Sequence, residues 1–170
     1  MSTGEKIVSF CLWVLLTSCS ISYGFTGGVV DYAVTKTITI SDFPNQAPLV
    51  YPPLSQAFTE GVKDLFTRRT KLQTVPANGD IEIEGEITGY DLAPMAVRED
   101  ALSSMTKLTM TVRVRYSNKA LPEQDVVEST FSAFREFDSN LMLQDVQDTF
   151  NEEMIKEIAE QIFNSTVADW

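Results

Sequence analysis

Two stretches of this chain alternate so regularly that each fits a β-strand with one wet face and one dry face. In Asp80–Leu92, Ile81, Ile83, Gly85 and Ile87 share one face, and Glu82, Glu84 and Glu86 share the other. In Thr106–Tyr116, Leu108, Met110, Val112, Val114 and Tyr116 oppose Lys107, Thr109, Thr111, Arg113 and Arg115. Side chains on a strand alternate with a period of two, so a half-buried strand reads in just this way. The two polar faces carry opposite charge, which suggests antiparallel neighbours. A register with Glu84 across from Arg113 also sets Glu82 across from Arg115, Ile83 opposite Val114 and Ile87 opposite Met110. Opposite charges facing each other contribute roughly 0.2–1 kcal/mol per pair. The glutamate row is read as a solvated face neutralised by its neighbour. Alternating carboxylates on a rigid strand converge poorly on a cation, so no metal site is expected there.

The other elements follow from the same patterning. Ile38 and Ile40 alternate with threonines in Thr35–Phe43, a strand ended by Pro44. Tyr51-Pro52-Pro53 opens a helix, since proline is tolerated in the first turn. Its stripe is Leu54, Ala57, Phe58, Val62, Leu65 and Phe66, and Gly61 on that stripe predicts a close backbone approach. Arg68 and Arg69 near its end suit the helix dipole. A short strand at Lys71–Val75 and a turn at Ala77-Asn78-Gly79 precede the two long strands, which the loop Ala93–Met105 joins. Val126–Phe137 reads as a last strand. Gln144–Val167 reads as a long amphipathic helix that buries Val146, Phe150, Met154, Ile155, Ile158, Ile162 and Phe163. Strands with one apolar face and helices with one apolar stripe pack most simply as two layers. The expected fold is therefore an α+β two-layer sandwich. Both helices lie on one face of a mostly antiparallel four- to five-stranded sheet, and the opposite sheet face stays polar.

The amino-terminal region adds a processing signal. Ile7–Leu16 is an apolar run of signal-peptide length, too short to span a bilayer. Leu16-Thr17-Ser18-Cys19 then resembles the lipobox of bacterial lipoproteins, in which cleavage leaves the cysteine first and a diacylglycerol joins its sulfur. The alternative is an ordinary secretory signal with Cys19 incidental. Residues 1–18 are thus expected to be a signal peptide, 19–33 a lipidated, Gly-rich tether and 34–170 the folded domain. Roughly 150 residues would remain, which suits one domain with its own core. The cysteines are Cys11 and Cys19 and there is no histidine. The mature domain therefore has no thiol or imidazole for a disulfide, a nucleophile, a general base or a metal ligand. No cofactor is implied, and the chain is expected not to be an enzyme. Its net charge of −11 speaks against nucleic acid as a partner.

Together these residues resemble the LptE family of lipopolysaccharide-assembly lipoproteins in its Bacteroidota form. The resemblance rests on Cys19, on Phe43–Phe66, on Asn78–Pro94, on Leu108–Lys119 and on the terminal helix ending in Ala168-Asp169-Trp170. Phe43-Pro44-Asn45 and Gly85-Glu86-Ile87-Thr88-Gly89-Tyr90 are its most distinctive parts. The resemblance implies an outer-membrane lipoprotein, lipid-anchored on the periplasmic side. Its implied role is as plug and assembly partner of the LptD β-barrel, assisting lipopolysaccharide insertion into the outer leaflet. Lipopolysaccharide is polyanionic, so any direct contact in so acidic a chain needs local cations. The candidates for lipopolysaccharide or barrel contact are Arg98, Lys107, Arg113 and Arg115. The competing role for the sheet-face cations is pairing across strands with Glu82 and Glu84. A different function, a lipoprotein that carries a lipid or other small ligand on its own, would need a pocket between helices and sheet.

Overall fold

The computed structural model describes residues 30, 32–95, 104–119 and 127–167; Cys19 and Arg98 lie outside them. The elements run β1 (Thr37–Ile40), α1 (Leu54–Arg69), β2 (Gln73–Thr74), β3 (Ile81–Pro94), β4 (Met105–Asn118), β5 (Val127–Asp138) and α2 (Leu143–Thr166). The five strands form one sheet in the order β2-β1-β3-β4-β5. Both helices cover one face, giving the expected two-layer α+β sandwich. β1 pairs parallel with β2 and β3, while β3, β4 and β5 form an antiparallel meander. A parallel neighbour needs a crossover connection, and α1 is the crossover from β1 to β2.

The core lies between sheet and helices. Tyr90, Phe43, Phe58, Phe66, Ile81, Ile83 and Met154 are fully buried there. Phe43 meets Phe58 edge-on with ring centroids 5.0 Å apart, and Phe66 meets Phe163 at 5.3 Å. Val30 also belongs to this core at 5 % exposure, so packing begins ahead of the first expected strand. The helical stripe of α1 is as expected except at Ala57, which is exposed, while Thr59 is buried. Thr59 belongs inside because its Oγ1 accepts from Phe43 N at 3.0 Å and donates to the Ser55 carbonyl at 2.8 Å.

The register of β3 on β4 corrects the sequence reading. Glu84 stands opposite Arg115, Glu86 opposite Arg113 and Glu82 opposite Ser117; Ile83 faces Tyr116 and Ile87 faces Val112. The offset from the expected pairing is even, so every side chain keeps its face. Both registers bring two glutamates opposite two arginines, and the charge pattern of two strands therefore does not choose between them. The register that forms also brings Lys119 Nζ to 2.6 Å from Glu82 Oε1.

Pairing then slips between Ile87 and Gly89. The extra residue, Thr88, makes a β-bulge, beyond which the two faces of β3 exchange. Tyr90 consequently turns into the core, where strict alternation from Ile81 would have put it outside. The chain after β1 runs beside this bulge. Ile87 N donates to the Pro44 carbonyl at 3.0 Å, and Gln46 N donates to the Ile87 carbonyl at 2.9 Å. Proline has no N–H to give, but its carbonyl extends the ladder.

The edge strand β5 is guarded. Arg135 Nη1 donates to the Phe134 carbonyl at 2.7 Å, and Gln161 Nε2 reaches from α2 to the Ser132 carbonyl at 3.3 Å. Side chains that occupy edge carbonyls oppose the addition of a foreign strand.

Candidate functional site

The open face of the sheet is built from the polar sides of β3, β4 and β5. Arg113 sits 3.3 Å from Glu86 and 3.8 Å from Glu128, and Arg115 sits 3.7 Å from Glu128. With Glu84 and Pro44 these residues line a shallow cleft of about 280 Å³. The cleft brings Arg113 and Arg115 together, but its glutamates outnumber them. A polyanion entering there would have to displace carboxylates already paired with both cations. Lys107 lies on the same face of β4, roughly 20 Å from Arg113 at about 3.3 Å per residue. Its Nζ stands 5.5 Å above the ring of Phe134, which is 53 % exposed. Glu82 is held by Lys119, and Glu84 makes no ion pair among the described residues. The same residues contain no cluster of three or more His, Cys, Asp or Glu side chains that could hold a metal ion.

The outer face of the helix layer carries a second feature. α1 and α2 run parallel: Tyr51 meets Asp148 at their starts, and Arg69 Nη2 meets Glu160 Oε1 at 3.1 Å towards their ends. Between them lies a groove of about 670 Å³. Gly61 makes the two helices fit, since a Cβ there would come within 2.6 Å of Ile155 Cγ2. The close approach expected at Gly61 is thus made by a side chain of α2 rather than by backbone.

A buried polar cluster joins this groove to the sheet, and the apolar stripe read from the sequence passed over it. Gln147 and Asn151, one turn apart on α2, are buried at 8 % and 4 % exposure. Gln147 Nε2 donates to the Tyr90 hydroxyl at 2.9 Å, and that hydroxyl donates to Asn151 Oδ1 at 2.9 Å. Burial raises the Tyr90 pKa above the usual phenol value, against the smaller opposing effect of these two bonds, so the ring carries a proton at neutral pH. Tyr51, whose ring centroid lies 6.5 Å from that of Tyr90, donates to Asp148 Oδ1. That bond raises its pKa as well. The available signal was the polar pair at helical spacing, Gln147 and Asn151, inside an otherwise apolar stripe.

These features define a two-layer α+β domain that presents two built surfaces, a paired-charge sheet face and a groove along a helix pair. The family model described as "LptE: Lipopolysaccharide-assembly" matches residues 35–166, and the chain belongs to that family. No curated protein matches the chain in sequence. Among solved structures it is similar to protein XCC0632 from Xanthomonas campestris, at 14% identity and a TM-score of 0.54, over 77% of this chain and 83% of that one. It is also similar to protein CT253 from Chlamydia trachomatis, at 11% identity and a TM-score of 0.51, over 77% of this chain and 98% of that one. A minor lipoprotein from Acinetobacter baumannii matches at 14% identity and a TM-score of 0.49, over 76% and 90%. At such identities the first two likenesses are of fold. No helix among the described residues is long and apolar enough to cross a membrane.

Proposed function

We propose that the chain is cleaved after Ser18, lipidated at Cys19 and held on the periplasmic side of the outer membrane. There it serves as plug and assembly partner of an LptD-type β-barrel in the delivery of lipopolysaccharide to the outer leaflet. Family membership supplies the lipopolysaccharide-assembly role. The observation that carries the plug reading is the open sheet face, where Glu82–Lys119 and Glu86–Arg113–Glu128–Arg115 form paired rows. Outer-membrane barrels have polar interiors, and a plug needs a polar exterior around a core of its own. Charges of both signs, most of them paired with one another on a rigid sheet, give such an exterior.

In this reading the role is non-catalytic, and residues 19–29 lead from the lipid to the folded part. Lys107 is the sheet-face cation best placed to meet a phosphate, because Arg113 and Arg115 already have carboxylate partners. The test is an affinity pull-down of the intact lipoprotein from detergent-solubilised outer membranes, with mass spectrometry of what accompanies it. A stoichiometric large β-barrel supports the plug. A lone protein, with or without a lipid, refutes it.

A further inference from the structure

We propose that Asn78-Gly79, in the segment between β2 and β3, is a site of spontaneous deamidation that the native fold holds shut and unfolding opens. It is the only asparagine followed by glycine in the chain. The reaction needs no enzyme and no reagent but water. The Gly79 backbone nitrogen, on losing its proton to base, attacks the Asn78 side-chain carbon Cγ. A C–N bond forms, the Cγ–Nδ2 bond breaks, and the amide nitrogen takes up a proton and leaves as ammonia. Water then opens the cyclic imide at one carbonyl or the other, giving aspartate or isoaspartate. Glycine in the second place favours the attack, because no side chain shields its nitrogen.

The fold requires this reactive pair. Asn78 has a φ of 57°, in the left-handed region that asparagine enters at less cost than most residues. A Cβ on Gly79 would lie 2.6 Å from Thr39 N, 2.8 Å from the Ile38 carbonyl carbon and 2.9 Å from the Ile81 carbonyl oxygen. All three are backbone atoms, so no larger residue is seated there. The same packing disarms the pair. Gly79 is buried, and its N–H donates to Thr39 Oγ1 at 2.9 Å. Next along the chain, Asp80 N donates to Thr37 Oγ1 at 2.9 Å, and Asp80 Oδ2 accepts from Lys36 N and Thr37 N. The attacking nitrogen is therefore kept from base by its hydrogen bond, and kept from turning toward Cγ by the backbone packed around it. Asn78 itself is exposed, so its amide stands in water and release of Gly79 is the step that admits reaction. Deamidation at residue 78 then records time that the chain has spent unfolded.

This site does not depend on the plug reading. The test incubates the full-length lipoprotein in mildly alkaline detergent buffer, folded and in urea. Aspartate and isoaspartate at residue 78 are followed by peptide mass spectrometry. In urea, residue 78 should deamidate faster than Asn45, Asn118, Asn140, Asn151 or Asn164. In the folded protein it should react at least tenfold more slowly, the factor set by a local opening free energy above ~1.4 kcal/mol. Thr39→Val, which removes the acceptor, should speed the folded-state reaction about fivefold, as for a hydrogen bond worth ~1 kcal/mol. Thr39→Ser, which keeps a hydroxyl, should leave it slow. Rates at several urea concentrations below the unfolding transition separate local release of Gly79, which responds weakly to urea, from global unfolding, which responds steeply. Equal rates in folded and unfolded protein would overturn the proposal. So would equal gains in Thr39→Val and Thr39→Ser, no gain in Thr39→Val, or a gain that follows urea as global unfolding does.

Discussion

The ring of Phe43 occupies the space that a side chain at Gly85 would need. A Cβ at Gly85 would lie 2.4 Å from Phe43 Cε1 and 2.4 Å from the Arg113 carbonyl oxygen. The two most distinctive sequence segments, around Phe43 and around Gly85, are therefore one piece of packing. Phe43 is also fixed from behind, as its N–H and its carbonyl are bonded by Thr59 and Ser55 of α1 at 3.0 and 2.6 Å. Gly85→Ala should cost about 3 kcal/mol, because one of its two obstacles is backbone and cannot rotate away. Urea unfolding measures it, and a loss below about 1 kcal/mol would show that the ring yields.

The Tyr90 cluster makes a prediction about paired loss. Tyr90→Phe should destabilise by about 1–3 kcal/mol, since it strands buried polar groups on Gln147 and Asn151. Adding Gln147→Leu and Asn151→Leu to Tyr90→Phe should recover much of that loss, because an all-apolar cluster leaves nothing unsatisfied. If the triple variant is no more stable than Tyr90→Phe alone, the hydrogen-bond explanation is wrong.

Arg113 distinguishes the two registers. A double-mutant cycle between Glu86 and Arg113 should show coupling of roughly 0.2–1 kcal/mol, in the range for cross-strand pairs. The same cycle between Glu84 and Arg113 should show none. Coupling confined to the second pair would restore the register expected from alternation alone.

Asp80 ties the start of β1 to β3. Its Oδ2 accepts from Lys36 N at 2.8 Å, Thr37 N at 2.9 Å and Thr37 Oγ1 at 2.8 Å. The Lys36 backbone bond is the largest of the effects that hold its pKa below the ordinary carboxylate value of 3.8. A carboxylate with a depressed folded-state pKa contributes stability that is complete above its unfolded pKa and lost as pH falls through the folded one. Stability should therefore drop as pH is lowered from about 5 to below 3. Asp80→Asn should be less stable at neutral pH and flatter across that acid window. Parallel acid limbs for the two proteins would rule Asp80 out as a contributor.

Cys19→Ala tests the anchor separately from the fold. Under the proposed processing the variant should keep its melting temperature and leave the membrane fraction for the soluble one. Retention in membranes from cells lacking the partner barrel would show that something other than lipid holds it.

Which residues become strand or helix was legible in the sequence, and so was the face each turns inward. Those are local properties, set by periods of two and of 3.6 that a few neighbouring residues express. The apolar faces of β3 before its bulge, of β4 and of both helices lie where alternation put them. The tertiary structure alone decided how the faces meet. An even slip preserves every face, so alternation and two-strand charge matching left the β3–β4 register open, and only the assembled sheet brings Lys119 to Glu82 and Glu128 to both arginines. One extra residue at Thr88 inverted the end of β3 and brought Tyr90 inside, next to a polar pair on a helix far along the chain. The parallel seat of β1 beside β3 and the groove behind Asn151 arise in the same way. They depend on contacts between residues distant in sequence, and no local period encodes those.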